Sequence, residues 1–89
     1  MISKRIQVFG KVHGVFFRVS TKEIALQYGL KGWVRNELDG SVLIEVSGDS
    51  DSIEKLVEWS HTGSAAAIVE RVEVTSIPFR KFEDFSITS

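Results

Sequence analysis

The first periodic stretch of the chain alternates Ile6, Val8, Gly10 and Val12 with Arg5, Gln7, Phe9 and Lys11. Successive side chains of a strand point to opposite faces, so this period of two predicts a strand with one apolar face. Phe9 on the other face implies that neither side is fully wet. Gly10 inside the strand marks a bulge or a close backbone approach. From about Ser20 to Tyr28 the period lengthens. Ser20 with Glu23 fits a capping box, Val19 with Ile24 fits a hydrophobic staple, and Gly29 follows as a left-handed cap. Thr21, Ala25 and Tyr28 share one helical stripe, with Ile24 beside it.

Trp33 and Val34 form a brief extended segment after Gly32, and Leu38-Asp39-Gly40-Ser41 reads as a hairpin turn. The returning strand is Val42 to Val46, with Val42, Ile44 and Val46 on one face and Leu43 and Glu45 on the other. Asp51-Ser52-Ile53-Glu54 offers a second capping box. Ile53, Leu56 and Val57 supply the stripe of a helix ending near His61-Thr62-Gly63, with Trp59 at the stripe's edge. A further strand is expected from about Ile68 to Thr75. In the tail, Phe85 and Ile87 fit a closing edge strand with Pro78 at its first position.

The predicted order is strand, helix, strand, strand, helix, strand, with a short fifth strand allowed by the tail. Strands with one apolar face and helices with one apolar stripe are both satisfied by an antiparallel sheet carrying both helices on one side. That is the α+β ferredoxin-like βαββαβ sandwich. Its 89 residues suffice for one domain, spanning 1–89.

Composition narrows the chemistry. With no cysteine there is no disulfide framework, thiolate nucleophile or thiolate metal site, and His13 and His61 are too few for a three-histidine zinc site. No apolar run approaches the roughly 20 residues that a bilayer demands. Met1 to Arg5 does not lead into a signal-peptide pattern, and the expected compartment is the cytoplasm. The net charge of −1 weighs against a general nucleic-acid binder. Residues 1–35 nevertheless carry +6 and residues 36–89 carry −7. This asymmetry allows an anion site in the first third, or simply two signs that mix on the folded surface.

The most informative stretch is Gly10-Lys11-Val12-His13-Gly14-Val15-Phe16-Phe17-Arg18, between the first strand and the first helix. Short glycine-containing turns aim successive backbone N–H groups at one point, and a helix start adds unpaired donors of its own. With the guanidinium of Arg18 they would make a phosphate cradle. The segment lacks the glycine-lysine-serine/threonine ending of a nucleotide P-loop. The residues alone leave the plainer reading open, in which Gly14 is a turn glycine and Arg18 a solvated arginine. Asn36, before the turn, is the second candidate, although its spacing does not bring it to Arg18. Glu37 with Asp39 is a turn pair rather than an evident acid and base. No serine, histidine and acid can be assembled into a triad.

These two stretches, Gly10 to Arg18 and Gly32-Trp33-Val34-Arg35-Asn36 continuing through Gly40-Ser41-Val42 to Gly48, resemble the acylphosphatase family. The resemblance covers nearly the whole chain. It implies a ferredoxin-like enzyme that hydrolyses acyl phosphates to a carboxylate and inorganic phosphate without metal or other cofactor. It implies catalytic roles for Arg18 and Asn36, with Arg18 and the backbone N–H groups of His13, Gly14, Val15, Phe16 and Phe17 binding the phosphoryl group and Asn36 orienting water. It also implies a small-molecule substrate, no nucleic-acid or membrane partner, and a monomer. His13 stands where many members have glutamine, and residues 61–67 lack a proline often found there.

Two other classes follow from the same residues. Single-stranded RNA-binding modules share the βαββαβ order and stack bases on strand aromatics, which Phe9, Phe16 and Phe17 bring to mind. Phe16 and Phe17, however, precede a helix rather than lie on a strand. A domain that keeps the fold without catalysis is the other, and the presence of both Arg18 and Asn36 argues against it.

Overall fold

A computed structural model describes residues 1–88 of the chain. The alternation at its head becomes β1 (Ile2–Lys11), followed by α1 (Phe17–Gln27), β2 (Lys31–Asn36), β3 (Val42–Gly48), α2 (Ser50–Ser60), β4 (Ile68–Ile77) and β5 (Phe85–Ile87). The sheet order is β4-β1-β3-β2-β5. Both helices lie on one face, as the two kinds of stripe require. Thr21 and Ala25 of α1 and Ile53, Leu56 and Val57 of α2 meet Ile6, Val8, Val34, Val42, Ile44 and Val46 in the core. Each such aliphatic side chain, fully buried, contributes roughly 1.5–3 kcal/mol.

The sheet is mixed rather than antiparallel throughout. β1 pairs antiparallel with β3 and β4, and β2 antiparallel with β3, but β5 runs parallel to β2. The register explains the reversal. Ile77 pairs with Ser3, Ser3 with Ser47, and Ser47 with Lys31, so β4 ends at the level where β2 begins. A tail crossing the sheet at that end enters its far edge in the same direction as β2. The crossing is pinned by Arg80 N–H donating to Ser3 Oγ at 2.9 Å and Ser47 Oγ donating to the Arg80 carbonyl at 2.6 Å. Pro78 belongs to this crossing and not to the start of β5.

Both helices begin earlier than the capping boxes predict. α1 starts at Phe17, with Ser20 already in its first turn and its N–H bonded to the Phe16 carbonyl at 3.0 Å. Val19 is 47% exposed and does not act as a staple. α2 starts at Ser50, and its cap is Asp49, whose carboxylate accepts from Ser52 N–H at 3.4 Å. In each case the chain reaches helical geometry as soon as the preceding loop or strand allows, and the local capping pattern is overridden.

The second face of the sheet carries charge over its apolar residues. The Arg71 guanidinium lies 3.8 Å from the Phe9 ring centroid and that of Arg35 4.8 Å from Trp33. Glu45, only 2% exposed, is held between Arg5 and Arg80 at 2.6 and 3.0 Å. The bulge expected at Gly10 is present as a register shift between Phe9 and Gly10. Gly10 has φ 133, and a Cβ there would collide with the Ile68 carbonyl oxygen, so β4 can approach only a glycine.

Candidate active site

The bulge delivers β1 directly into the loop that precedes α1. Three side chains anchor this loop in the interior: Val12 and Phe17, each 1% exposed, and Val15 at 7%. Phe17 packs its ring 5.1 Å from that of Trp59 on α2. Between the anchors, Gly14 has φ 70 and Phe16 has φ 60. A left-handed backbone at a residue other than glycine costs on the order of 1–3 kcal/mol and persists where the surroundings determine it. Phe16 is the N-cap of α1, and its side chain caps nothing.

Two clamps hold the loop from outside. The Ser64 hydroxyl, in the α2–β4 connection, donates to the Val15 carbonyl at 2.6 Å. His13 Nε2 donates to the Ser41 carbonyl at 2.8 Å, tying the loop to the β2–β3 turn. That turn is itself braced. Asp39 accepts from the Ser41 hydroxyl at 2.6 Å and from its N–H at 2.9 Å, while Gln7 Nε2 donates to Ser41 Oγ at 2.9 Å. The Ser41 hydroxyl, then its N–H, hold the Asp39 carboxyl below the ordinary carboxylate pKa.

With its carbonyl turned to Ser64, the loop leaves its donors free. Among the described residues, no hydrogen bond within the chain uses the backbone N–H of residues 13–19. Two left-handed residues, Gly14 and Phe16, stand just ahead of the helix start, and a turn of this kind followed by a helix N-terminus can gather such donors around an anion.

These donors border a pocket of about 390 Å³. Gly14, Phe16, Phe17 and Arg18 line it from the loop and the head of α1, and Asn36 lines it from the end of β2. The structure therefore brings Arg18 and Asn36 to one cavity, which their spacing in the chain does not reveal. His13 and Val15 stand outside the lining, one clamping the β2–β3 turn and the other receiving Ser64. Sequence reasoning also passed over Val12, Val19 and Ile87, which complete the wall, and Ser64. Ile87 gets there only through the parallel pairing of β5, which places it beside Val34.

Two features of the pocket are chemically pointed. Among the described residues, Arg18 is the arginine with no carboxylate partner, since Arg5, Arg35, Arg71 and Arg80 are all ion-paired. Of the arginines in the cationic first third, Arg5 and Arg35 are paired with acids from the second part of the chain, and the free guanidinium is the one at the pocket. Asn36, the other polar side chain of the lining, has its Oδ1 buried with no hydrogen-bond partner among the described residues. A buried acceptor left open costs roughly 1–3 kcal/mol and calls for an explanation in terms of a ligand or water. Among the described residues, no group of three or more histidines or acids is placed to hold a metal ion, and no helix is long and apolar enough to cross a membrane.

A loop with unpaired backbone donors, a free guanidinium and the side chain of Asn36 thus meet around one pocket of a ferredoxin-like sandwich. Comparison with known proteins narrows the class. Residues 4–87 match the family described as Acylphosphatase. An acylphosphatase of Pyrobaculum islandicum is 44% identical over 88 residues, covering 97% of this chain and 93% of that protein. The crystal structure of acylphosphatase from Bacillus subtilis superposes with a TM-score of 0.97 at 34% identity, covering 100% of both chains. An acylphosphatase structure from Coxiella burnetii gives 0.95 at 37%, covering 98% of this chain and 92% of that one. The chain belongs to the acylphosphatase family, hydrolases of acyl phosphates.

Proposed function

We propose that this chain hydrolyses acyl phosphates with Arg18 and the N–H groups of the loop from His13 to Phe17 holding the phosphoryl oxygens, and Asn36 holding the attacking water. An acyl phosphate is already activated, because its leaving group is a carboxylate. What the protein must supply is placement and stabilisation of charge on the phosphoryl oxygens. The guanidinium and the converging amides supply the charge stabilisation.

The observation that carries the reading is that Asn36, whose Oδ1 no group of the chain satisfies, lines the same pocket as the unpaired Arg18. A water that donates one hydrogen to Oδ1 keeps a lone pair free for phosphorus. Its oxygen bonds to phosphorus as the bond from phosphorus to the carboxyl oxygen breaks. The carboxylate leaves with that electron pair, and the water proton passes to a phosphoryl oxygen. A dianionic acyl phosphate and water thus become a carboxylate and dihydrogen phosphate. The reading takes residues 1–89 as a single acylphosphatase-like domain, a cytoplasmic monomer that needs no metal.

The test is steady-state hydrolysis of benzoyl phosphate with a chelator present. Arg18→Ala and Arg18→Lys are expected to lose on the order of a hundredfold or more in turnover, since an ammonium cannot reproduce the fork of a guanidinium. Both variants should stay folded, because Arg18 makes no ion pair. Near-parental turnover in either folded variant would remove Arg18 from the mechanism, and loss of activity with chelator would remove metal independence.

A further inference from the structure

Phe16 is an expensive residue with no return in the fold. Among the described residues it is the only one besides glycine with positive φ. The residue is 79% exposed, belongs to no core cluster and has no aromatic or cation partner among the described residues. Glycine would adopt the same backbone without strain. What the ring does border is the pocket, and two other exposed apolar side chains from different elements border it too. Val19 of α1 is 47% exposed and Ile87 of β5 is 39% exposed. Besides Arg18, no charged side chain lines this cavity.

We propose that Phe16, Val19 and Ile87 form the acyl-recognition surface of the site, and that it selects acyl phosphates whose acyl group is uncharged and apolar, aromatic above all. The proposal rests on the pocket being the acyl phosphate site. With the phosphoryl end engaged by Arg18 and the loop amides, the rest of the substrate meets hydrocarbon. An aryl ring there gains contact with Phe16. A second carboxylate on the acyl group would find no cation, because the guanidinium is committed to phosphate. Selection by three exposed side chains at the pocket also explains why the left-handed position holds phenylalanine.

The experiment compares kcat/KM for benzoyl phosphate and acetyl phosphate in the parent protein, Phe16→Gly, Val19→Ser and Ile87→Ser, with a melting temperature for each. The benzoyl-to-acetyl ratio is expected to fall roughly two- to tenfold in Phe16→Gly, the range an aromatic pair contributes. Its melting temperature should hold or rise as strain is released. Val19→Ser and Ile87→Ser should lower the ratio in the same direction, keeping the test valid if Phe16→Gly disturbs the loop. Unchanged ratios in all three variants would overturn acyl selection while leaving hydrolysis itself standing. A parent protein that cleaves neither substrate would overturn both.

Discussion

The Ser64 hydroxyl meets the Val15 carbonyl at 2.6 Å, joining residues 49 positions apart. The bond fixes which way the loop peptide faces: its carbonyl points to the α2–β4 connection, and the neighbouring N–H groups keep no partner within the described residues. Ser64→Ala should cost about 0.5–1.5 kcal/mol in denaturant unfolding, the usual net value of one hydrogen bond. As a positioning residue, Ser64 should also matter to the anion, so inhibition by inorganic phosphate is expected to weaken several-fold. Ser64→Thr, which keeps the hydroxyl, should restore both. Unaltered phosphate inhibition in a destabilised Ser64→Ala protein would reduce the bond to a structural one.

Asn36 sets function against stability. Replacing it with alanine removes a buried acceptor that has no partner, so the folded state should be as stable as the parent or more so. Turnover of benzoyl phosphate is expected to fall roughly a hundredfold, the scale of a misplaced reactant. Phosphate inhibition should change much less, because Arg18 and the amides remain. A parallel loss of phosphate binding and turnover would make Asn36 an anion ligand instead.

Gly63 is constrained by a neighbour as well as by its backbone. It has φ 72, and a Cβ there would lie 2.5 Å from Cε2 of Phe17, the ring that anchors the head of α1. Gly40, at φ 92, has nothing within 4 Å of the same added atom. Gly40→Ala should therefore show only the conformational cost, about 1 kcal/mol, and Gly63→Ala distinctly more. Urea unfolding of the two variants ranks them, and tryptophan emission reports the displacement of Phe17 against Trp59. Equal losses would mean that the Phe17 ring yields freely.

The Asp39 carboxyl titrates below its ordinary value because Ser41 donates to its charged form. A depressed folded pKa adds stability above the unfolded value, near pH 4, and that stability is lost as pH falls through the folded pKa. Stability curves of the parent and Asp39→Asn should therefore run apart above about pH 4 and approach one another in stronger acid. Curves offset by the same amount at every pH would show that the charge on Asp39 adds nothing to the turn.

Much of this architecture can be read in residue order, and the limits have physical causes. The alternation around Ile6 and Val8, the Asp39-Gly40 turn and the stripe of Ile53, Leu56 and Val57 are local patterns, and each has the face or bend it predicts. The direction of β5 is not local. Three residues cannot encode orientation, which depends on where β4 ends and on Ser3 and Ser47 catching Arg80. The start of α1 at Phe17 was hidden because its cap is a strained backbone rather than a capping side chain. In the site, Arg18 and Gly14 announce themselves by type and spacing. Ser64 sits in a run of small residues with no such signal, and the meeting of Arg18 with Asn36 exists only once β2 lies beside α1.

The first strand of the chain lies inside the sheet. β1 finds one neighbour when Ile2 reaches Gly48 and the other when Ser3 reaches Ile77, so its two ladders close loops of very different length. Long closures are slow relative to local helix and hairpin formation, so contacts of this kind form late. The loop after β1 inherits this delay, since its clamps at Ser41 and Ser64 arrive from later segments. The cradle for the phosphoryl group thus takes shape together with the finished sheet, and a half-folded chain presents no half-formed site.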